Sequence, residues 1–400
     1  MRRHHALLLL GWAILGGWYC GDDSTATADD GGEAVVDEGA DADAADGDTD
    51  VPADADADAD GDGDIDAPAD DAAETLDDGG GPPTAEVHFN GRFDRSDPAA
   101  PRFAWSASSI RARFSGTGIS ITLDAEGGNV FEVLIDGAPQ APIETSWGEE
   151  TFGLASGLSA GEHEVELVRR TEAFFGAVSF VRFDVTGGSL VASPWPWAHR
   201  VEFVGDSITA GYGALGPDQY CSFSADTESA WVSYASVAAR ALGAAPQLIA
   251  WSGKGVVQNY GGDRDEPLPE LYERTIPTEA GDWGFDPPAD AVVLNLGTND
   301  FSTTVDQAEF EAGYRDLILL VRSRNPTAAI YCVGGDFLNA TATTYIANAI
   351  AATGDGNVEL LELPGVLPSE GWGCDWHPSE ATHLRIGGLV AERLRADLGW

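Results

Sequence analysis

The stretch Val201-Glu202-Phe203-Val204-Gly205-Asp206-Ser207-Ile208-Thr209-Ala210-Gly211-Tyr212-Gly213 is an apolar strand pattern that stops at a small polar cluster with a serine at its tip. In an open α/β sheet the loop after a parallel strand faces the crevice where ligands bind, and backbone N–H groups there can hold an oxyanion. Ser207 is therefore a candidate nucleophile. Gly-Asp-Ser clusters are also ordinary turn chemistry, so the assignment depends on whether the rest of the chain supplies what a serine needs.

The sequence around it, residues 199–400, runs strand, helix, strand. Strand patterns fall at 200–204, 247–251, 291–296, 328–333 and 358–363, and helical patterns at 229–242, 307–324, 342–352 and 379–398. Apolar, two-sided strands that alternate with amphipathic helices predict a doubly wound parallel sheet in three layers, with the site in the loops after the strands.

Three of those loops carry unusual residues: Gly205-Asp206-Ser207, then Ser252-Gly253-Lys254-Gly255, then Gly297-Thr298-Asn299-Asp300. A fourth cluster, Gly373-Cys374-Asp375-Trp376-His377-Pro378-Ser379, precedes the last helix. A serine hydroxyl becomes nucleophilic when a base takes its proton, and histidine can accept that proton near neutral pH and return it to a leaving alcohol. The developing oxyanion needs fixed donors, which backbone N–H groups and an asparagine amide provide. Singly, His377 is a helix-entry residue, Asn299 a turn residue and Gly253 a tight bend. Their joint occurrence favours one site. The pentapeptide from Gly205 lacks the second glycine of a G-x-S-x-G elbow, and Gly253-Lys254-Gly255 is not a phosphate-binding fingerprint.

With these blocks the chain resembles the SGNH (GDSL-type) hydrolase superfamily, and within it carbohydrate esterase family 2, which joins a β-sandwich to an SGNH domain. The resemblance covers residues 88–400 and includes Arg169-Arg170-Thr171-Glu172-Ala173. It implies Ser207 as nucleophile, His377 as general base, and the Ser207 N–H, Gly253 N–H and Asn299 side chain as oxyanion hole. It further implies a serine esterase that removes acetyl groups from carbohydrate such as acetylated xylan or glucomannan, with no metal or organic cofactor. Rival functions with the same residues are a general short-acyl esterase and a cell-wall glycan deacetylase. A rival of another class is a non-catalytic carbohydrate-binding or adhesion protein. Asp375 stands two residues before His377, so in an extended segment both side chains share a face. Asp375 is then expected to orient His377, with a backbone carbonyl as the substitute. Trp251, Trp372 and Trp376 adjoin these motifs, either as core or as a stacking platform for sugar.

Residues 84–198 carry short alternating runs at 109–114, 118–123, 130–135, 162–168 and 177–185, punctuated by turn signals. This pattern predicts an antiparallel, jelly-roll-like β-sandwich. Upstream, residues 21–83 hold 24 Asp and Glu and no Lys or Arg, much of them in an Ala-Asp repeat. Such a segment buries too little apolar surface to fold and reads as a disordered acidic linker. It lacks the twelve-residue loop pattern of a calcium site. Subtracting that segment, Arg2 and Arg3 from the net charge of −46 leaves −24 for residues 84–400. Binding to nucleic acid or to an anionic membrane by charge is disfavoured.

Residues 1–20 read as a secretory signal, with Arg2 and Arg3 before an apolar run too short for a confident membrane span. The chain is expected to be exported to the extracellular space or cell-envelope surface. Cys20 before an acidic, glycine-rich stretch resembles a bacterial lipoprotein, although Gly17-Trp18-Tyr19 departs from the usual small residues, so lipid anchoring and simple cleavage nearby both stand. Of Cys221, Cys332 and Cys374, at most one pair can join within the chain, and three structural thiols is the simpler expectation; no CxxC pair suggests zinc. If Cys20 is lipidated, metabolic labelling with a radioactive fatty acid marks the wild-type chain and not Cys20→Ser. Equal absence of label excludes the anchor.

Overall fold

Five short apolar strands that cannot leave either face in water build the centre of the C-terminal region. In the computed structural model, which describes residues 84–400, they lie parallel in the order Ala244–Ala250, His199–Gly205, Ala291–Asn295, Ala329–Gly334, Val358–Glu362. The expected signal segment, Cys20 and the acidic linker lie outside the described residues. Period-two alternation sends Val201 and Phe203 to one face with Leu248 and Val293, and Val204 to the other with Ile249, Val292 and Leu294. Helices Tyr234–Leu242 and Glu380–Leu398 cover the first face, and Gln307–Arg324 and Ala340–Thr353 cover the second. The expected doubly wound three-layer sheet is what forms.

The strand order places the topological switch beside His199–Gly205, since the chain moves to one side for the second strand and to the other for the third. That is where an open α/β sheet has its crevice. Edge strand Ala244–Ala250 contains Pro246, tolerated because no strand pairs beyond it, and the Pro246 carbonyl accepts a hydrogen bond from Asn90 Nδ2 at 2.8 Å. Helix boundaries follow local chemistry. Asp306 and Asn339 side chains cap Glu309 N and Ala342 N, and Gly243, Gly354 and Gly399 end their helices in the left-handed region. The helix expected from residue 229 begins only at Tyr234. Ser229 N and Ala230 N are already committed to the Gly211 and Arg170 carbonyls.

The N-terminal region is antiparallel, and the two layers expected of a sandwich are halves of one continuous curled sheet. The runs at 109–114 and 118–123 are one strand, Ser109–Glu126. One edge of it pairs with Trp147–Arg169; the other pairs in turn with Val87–Asn90, Ser189–Val191 and Val178–Thr186. The break expected between those two runs is a bulge at Gly116 and Gly118, where chains pass closely. A Cβ at Gly116 would lie 2.7 Å from Val185 Cγ1, and one at Gly118 would lie 2.8 Å from the Ala155 carbonyl oxygen. Phe103, Ile110, Phe114, Ile121, Phe131 and Val165 fill the interior of the curl.

The two regions meet through apolar packing, such as Ala107, Leu134 and Val168 on the core of Val201 and Phe203, and through buried polar groups. Arg92, fully buried, donates to Glu202 Oε2 at 3.0 Å and to the Arg274 carbonyl at 3.1 Å, and also bonds the Tyr272 carbonyl. Glu202 sits on the central strand and also accepts from the Tyr272 hydroxyl at 2.6 Å. Removing one partner of a buried ion pair strands the other charge. Glu202→Ala is therefore expected to lose about 3–5 kcal/mol of unfolding free energy in denaturant titration. A double variant, Arg92→Met with Glu202→Leu, should recover most of that loss, and a small effect of Glu202→Ala alone would contradict this account.

Candidate active site

Gly205 ends the central strand where no side chain fits, because a Cβ there would fall 2.0 Å from Thr209 Oγ1 and 3.0 Å from the Asn295 carbonyl oxygen. Asp206 then caps a one-turn helix, Ser207–Ala210, with its Oδ1 accepting from Ile208 N at 3.0 Å. Ser207, 93 % shielded from solvent, occupies the first helical position at the switch point. The Asp206 carboxyl is pushed up to about 7, chiefly by burial. Its role here is to shape the turn.

The second and third loops are tied to each other. The buried Asp300 carboxylate accepts from the N–H groups of Val256, Val257 and Gln258 at 2.9–3.2 Å, which fixes the chain just beyond Gly255. Asn299 Nδ2 donates to the Lys254 carbonyl at 2.8 Å and lies 3.3 Å from Asp206 Oδ2, so one amide touches both other loops. Gly253 has φ 80, a conformation that favours glycine, and a Cβ there would meet nothing within 4 Å.

The fourth cluster brings the histidine. His377 Nε2 lies 2.8 Å from Ser207 Oγ, and Nδ1 lies 3.1 Å from the backbone carbonyl oxygen of Asp375. A carbonyl oxygen can only accept, so Nδ1 carries the ring proton and Nε2 offers its lone pair to the serine hydroxyl. Burial lowers the His377 pKa from its ordinary value. The Tyr212 ring packs against the imidazole at 4.3 Å between centroids.

The expectation for the Asp375 side chain needs correction. Its Oδ2 accepts from the Tyr212 hydroxyl and from Phe223 N, both at 3.0 Å, while its main-chain carbonyl serves the histidine. Equal spacing on one face presumes an extended segment. Here Cys374–Trp376 is a tight turn in which Asp375 and Trp376 have φ of 50 and 60. That backbone turns the carbonyl toward the ring and the carboxylate toward the 212–223 loop. The expectation of three free thiols also fails. Cys221 and Cys374 form a disulfide across 153 residues, and Cys332 alone is a buried thiol. Spacing in sequence could not identify that pair, since the fold brings the two cysteines together. Gly216 faces the bridge, where a Cβ would lie 2.4 Å from Cys374 Sγ.

The tryptophans separate. Trp251 is half-buried against Ala104, Ala173, Ala177 and Ile276 of the surrounding core. Trp372 is half-buried, its ring 5.9 Å from that of Trp376, which is 44 % exposed and sits beside the Tyr220 ring. Other histidines are engaged in structure. His383 Nδ1 accepts from Tyr234 N and burial pulls it down to about 3, while His88 bonds Ser193 and His163 bonds Asp136.

Sequence reasoning missed several neighbours. Tyr212 and Phe223 stack at 4.0 Å beside the histidine, and Phe174 of the N-terminal region approaches Phe223 and Trp251 at 6.1 and 6.0 Å. Glu172, from the same N-terminal turn, is fully buried and bonds Ser252. Only the Arg-Arg-Thr-Glu-Ala run signalled that turn. Among the described residues, no group of three or more His, Cys, Asp or Glu is arranged to hold a metal ion.

Comparison with known proteins gives the family of the chain. Residues 89–194 match the carbohydrate esterase 2 N-terminal family, and residues 203–385 match the GDSL-like lipase/acylhydrolase family. The cellulase/esterase CelE of Acetivibrio thermocellus is 41 % identical over 327 residues, which cover 78 % of this chain and 40 % of that longer protein. An acetylxylan esterase/glucomannan deacetylase of Cellvibrio japonicus is 26 % identical, covering 78 % of this chain and 89 % of its own length. A family two carbohydrate esterase from Clostridium thermocellum, solved with cellohexaose, superposes with a TM-score of 0.76 at 39 % identity, covering 78 % of this chain and 99 % of that one.

The site geometry fixes how the imidazole behaves. By nitrogen-detected NMR, His377 is expected to titrate below the ordinary histidine value of about 6.5 and to carry its neutral-state proton on Nδ1. Asp375→Asn keeps that tautomer because the carbonyl remains. A switch to the Nε2-protonated form would show that the carboxylate holds the ring.

Proposed function

We propose, from the premise that this chain belongs to carbohydrate esterase family 2, that it is a serine esterase removing O-acetyl groups from carbohydrate through an acetyl-serine intermediate. The observation that carries the reading is the pair of contacts on one imidazole, Nε2 to Ser207 Oγ at 2.8 Å and Nδ1 to a carbonyl at 3.1 Å. The ring is thereby held as a base aimed at the hydroxyl.

In the reaction, Ser207 Oγ attacks the acetyl carbonyl carbon as its proton passes to His377 Nε2. The charge on the former carbonyl oxygen is held by the N–H groups of Ser207 and Gly253 and by Asn299 Nδ2, each of which typically stabilises the transition state by about 3 kcal/mol. His377 returns the proton to the departing sugar oxygen. Water, deprotonated by the same nitrogen, then releases acetate and frees Ser207. Asn299 Nδ2 donates to the Lys254 carbonyl at 2.8 Å, which fixes the group, and to Asp206 Oδ2 at 3.3 Å; the longer of these bonds is the one given up when the amide turns to the oxyanion.

Acetylated xylan or glucomannan is the substrate class we infer, supported by the named activity of the Cellvibrio japonicus relative. The exposed face of Trp376 beside the histidine suits the apolar C–H face of a sugar ring. The body's net −24 disfavours anionic partners and leaves a neutral glycan acceptable. Export, whether free or through Cys20, is consistent with the Cys221–Cys374 disulfide, since such bonds persist in oxidising compartments.

Purified protein is expected to release acetate from acetylated xylan and to lose that activity in Ser207→Ala. A preference for octanoyl over acetyl nitrophenyl esters would overturn the acetyl assignment. The acid limb of kcat/KM should lie below about pH 6.5, because a lowered histidine pKa keeps the base neutral to lower pH. Asp375→Asn should retain kcat within roughly tenfold, as a carboxylate that does not touch the imidazole has no triad role to lose.

A further inference from the structure

The turn at residues 169–176 belongs to the antiparallel region, yet its acidic side chain ends on the loop that bears Gly253. Glu172 is fully buried. Its Oε2 accepts from Ser252 N at 2.6 Å and its Oε1 accepts from the Ser252 hydroxyl, so both carboxylate oxygens grip a single residue. That residue immediately precedes Gly253. Two anchors on one residue, from its N–H and its side chain, fix both the position and the orientation of the peptide that follows.

Glu172 is itself held from behind. The buried Arg169 guanidinium donates to the carbonyls of Thr171, Glu172 and Gly176 at 2.8–2.9 Å, which freezes the turn. Glu172 N donates to Glu228 Oε2 at 3.1 Å, and Arg170 donates to the Glu228 carbonyl and receives Ala230 N on its own carbonyl. Residues 228–230 in turn close onto the Ser207 helix through Ser229 N and the Gly211 carbonyl at 3.0 Å. One turn of the N-terminal region thus connects to the nucleophile's helix and to the loop of the second oxyanion donor.

Packing alone would not call for this. Burying a carboxylate is costly unless its oxygens are fully used, and an apolar side chain would join the two regions at less cost. A carboxyl group with both oxygens on Ser252, and the Glu228 carboxyl beside it, supplies direction rather than adhesion. Gly253 needs direction, because its left-handed φ of 80 and the empty space over its Cα leave its own side of the loop without packing support.

We infer that Glu172 is a positioning residue for the oxyanion hole, through which the antiparallel region sets the Gly253 N–H for catalysis. The inference rests on the esterase reading above. A displacement of about 1 Å in a catalytic group can cost on the order of a hundredfold in rate, which sets the scale of the effect. Glu172→Gln keeps an oxygen acceptor and gains an amide for the hydroxyl, so it conserves both contacts; Glu172→Ala conserves neither. Ser252→Ala loses only the hydroxyl contact and leaves the backbone one.

The test uses the full chain with an acetyl nitrophenyl ester and with a nitrophenyl phosphonate, which phosphonylates Ser207 and expels nitrophenolate. Glu172→Ala is expected to lower kcat by roughly a hundredfold with KM within about threefold, and to slow phosphonylation in parallel, since both reactions place charge in the same hole. Ser252→Ala should fall by about tenfold, Glu172→Gln by less, and the acid limb of the pH profile should stay where the wild type has it. If Glu172→Ala lowers the melting temperature but its folded enzyme keeps wild-type kcat, Glu172 only joins the two regions and the inference fails. If Glu172→Ala does not fold, a Ser252→Ala enzyme with wild-type kcat overturns it equally. Activity in the wild type that is absent in Ser207→Ala upholds the esterase reading in either case, whereas its persistence in Ser207→Ala removes that reading and this inference together.

Discussion

The site depends on one hydrogen bond from an imidazole to a peptide carbonyl. With His377 Nδ1 donating to the Asp375 main chain, the ring has a fixed tautomer and a fixed direction, and Nε2 can only face Ser207 as an acceptor. A carbonyl carries a dipole rather than a charge, so it orients the ring but stabilises an imidazolium less than a carboxylate would. The backbone bears a cost for presenting it. Asp375 and Trp376 both adopt left-handed φ, each at about 1–3 kcal/mol, and such a pair persists only where its surroundings over-determine it. They do here: the Cys221–Cys374 bridge precedes the turn, Cys374 N bonds the Gly213 carbonyl, and the Asp375 carboxylate is held by Tyr212 and Phe223. The carboxylate expected to steady the histidine steadies the loop that makes the carbonyl available.

A second constraint is that the boundary between the two regions adds directional polar bonds to apolar packing, in which Ala107, Leu134 and Val168 join the core of Val201 and Phe203, and Trp105 joins that of Val204. Arg92 reaches across to Glu202 on the central strand, and Arg170 and Glu172 reach across to Glu228, Ala230 and Ser252. An apolar seam would hold the regions together with less directional demand. Buried charges held by directional hydrogen bonds restrict the relative placement of the regions, because a shift leaves an ion or a donor unsatisfied. The antiparallel region thereby acts as a fixed wall of the site.

How much of this was legible follows the range of each interaction. Apolar periodicity is local, so the five parallel strands and the helix Gln307–Arg324 could be read directly, and the loop positions of Ser207, Gly253 and Asn299 followed from them. The break between the runs at 109–114 and 118–123 misled because a glycine that permits a bulge and a glycine that makes a turn look the same until the neighbouring strand is known. The start of the helix at Tyr234 was hidden for a similar reason, since Ser229 and Ala230 are drawn off by residues far away in the chain. The Cys221–Cys374 pair, the Asp375 carbonyl and the Glu172 clamp all join segments more than 75 residues apart or depend on an unusual φ. No local pattern encodes either.

An acidic protein that must stabilise an oxyanion faces an electrostatic problem, and the way it is met accounts for several otherwise costly groups. Asp206, Glu172, Glu228 and Asp300 are all buried around the loops that carry Ser207, Gly253 and Asn299. Left as bare charges in a low-dielectric pocket, they would oppose the negative oxygen that the reaction creates. Each instead accepts from at least one N–H donor: three for Asp300, Ile208 N and Asn299 Nδ2 for Asp206, Ser252 N for Glu172 and Glu172 N for Glu228. Burial raises the proton affinity of all four, and the buried Arg169 cation stands beside the glutamate pair. The carboxyl groups then act as acceptors that shape the backbone of the loops bearing Ser207, Gly253 and Asn299.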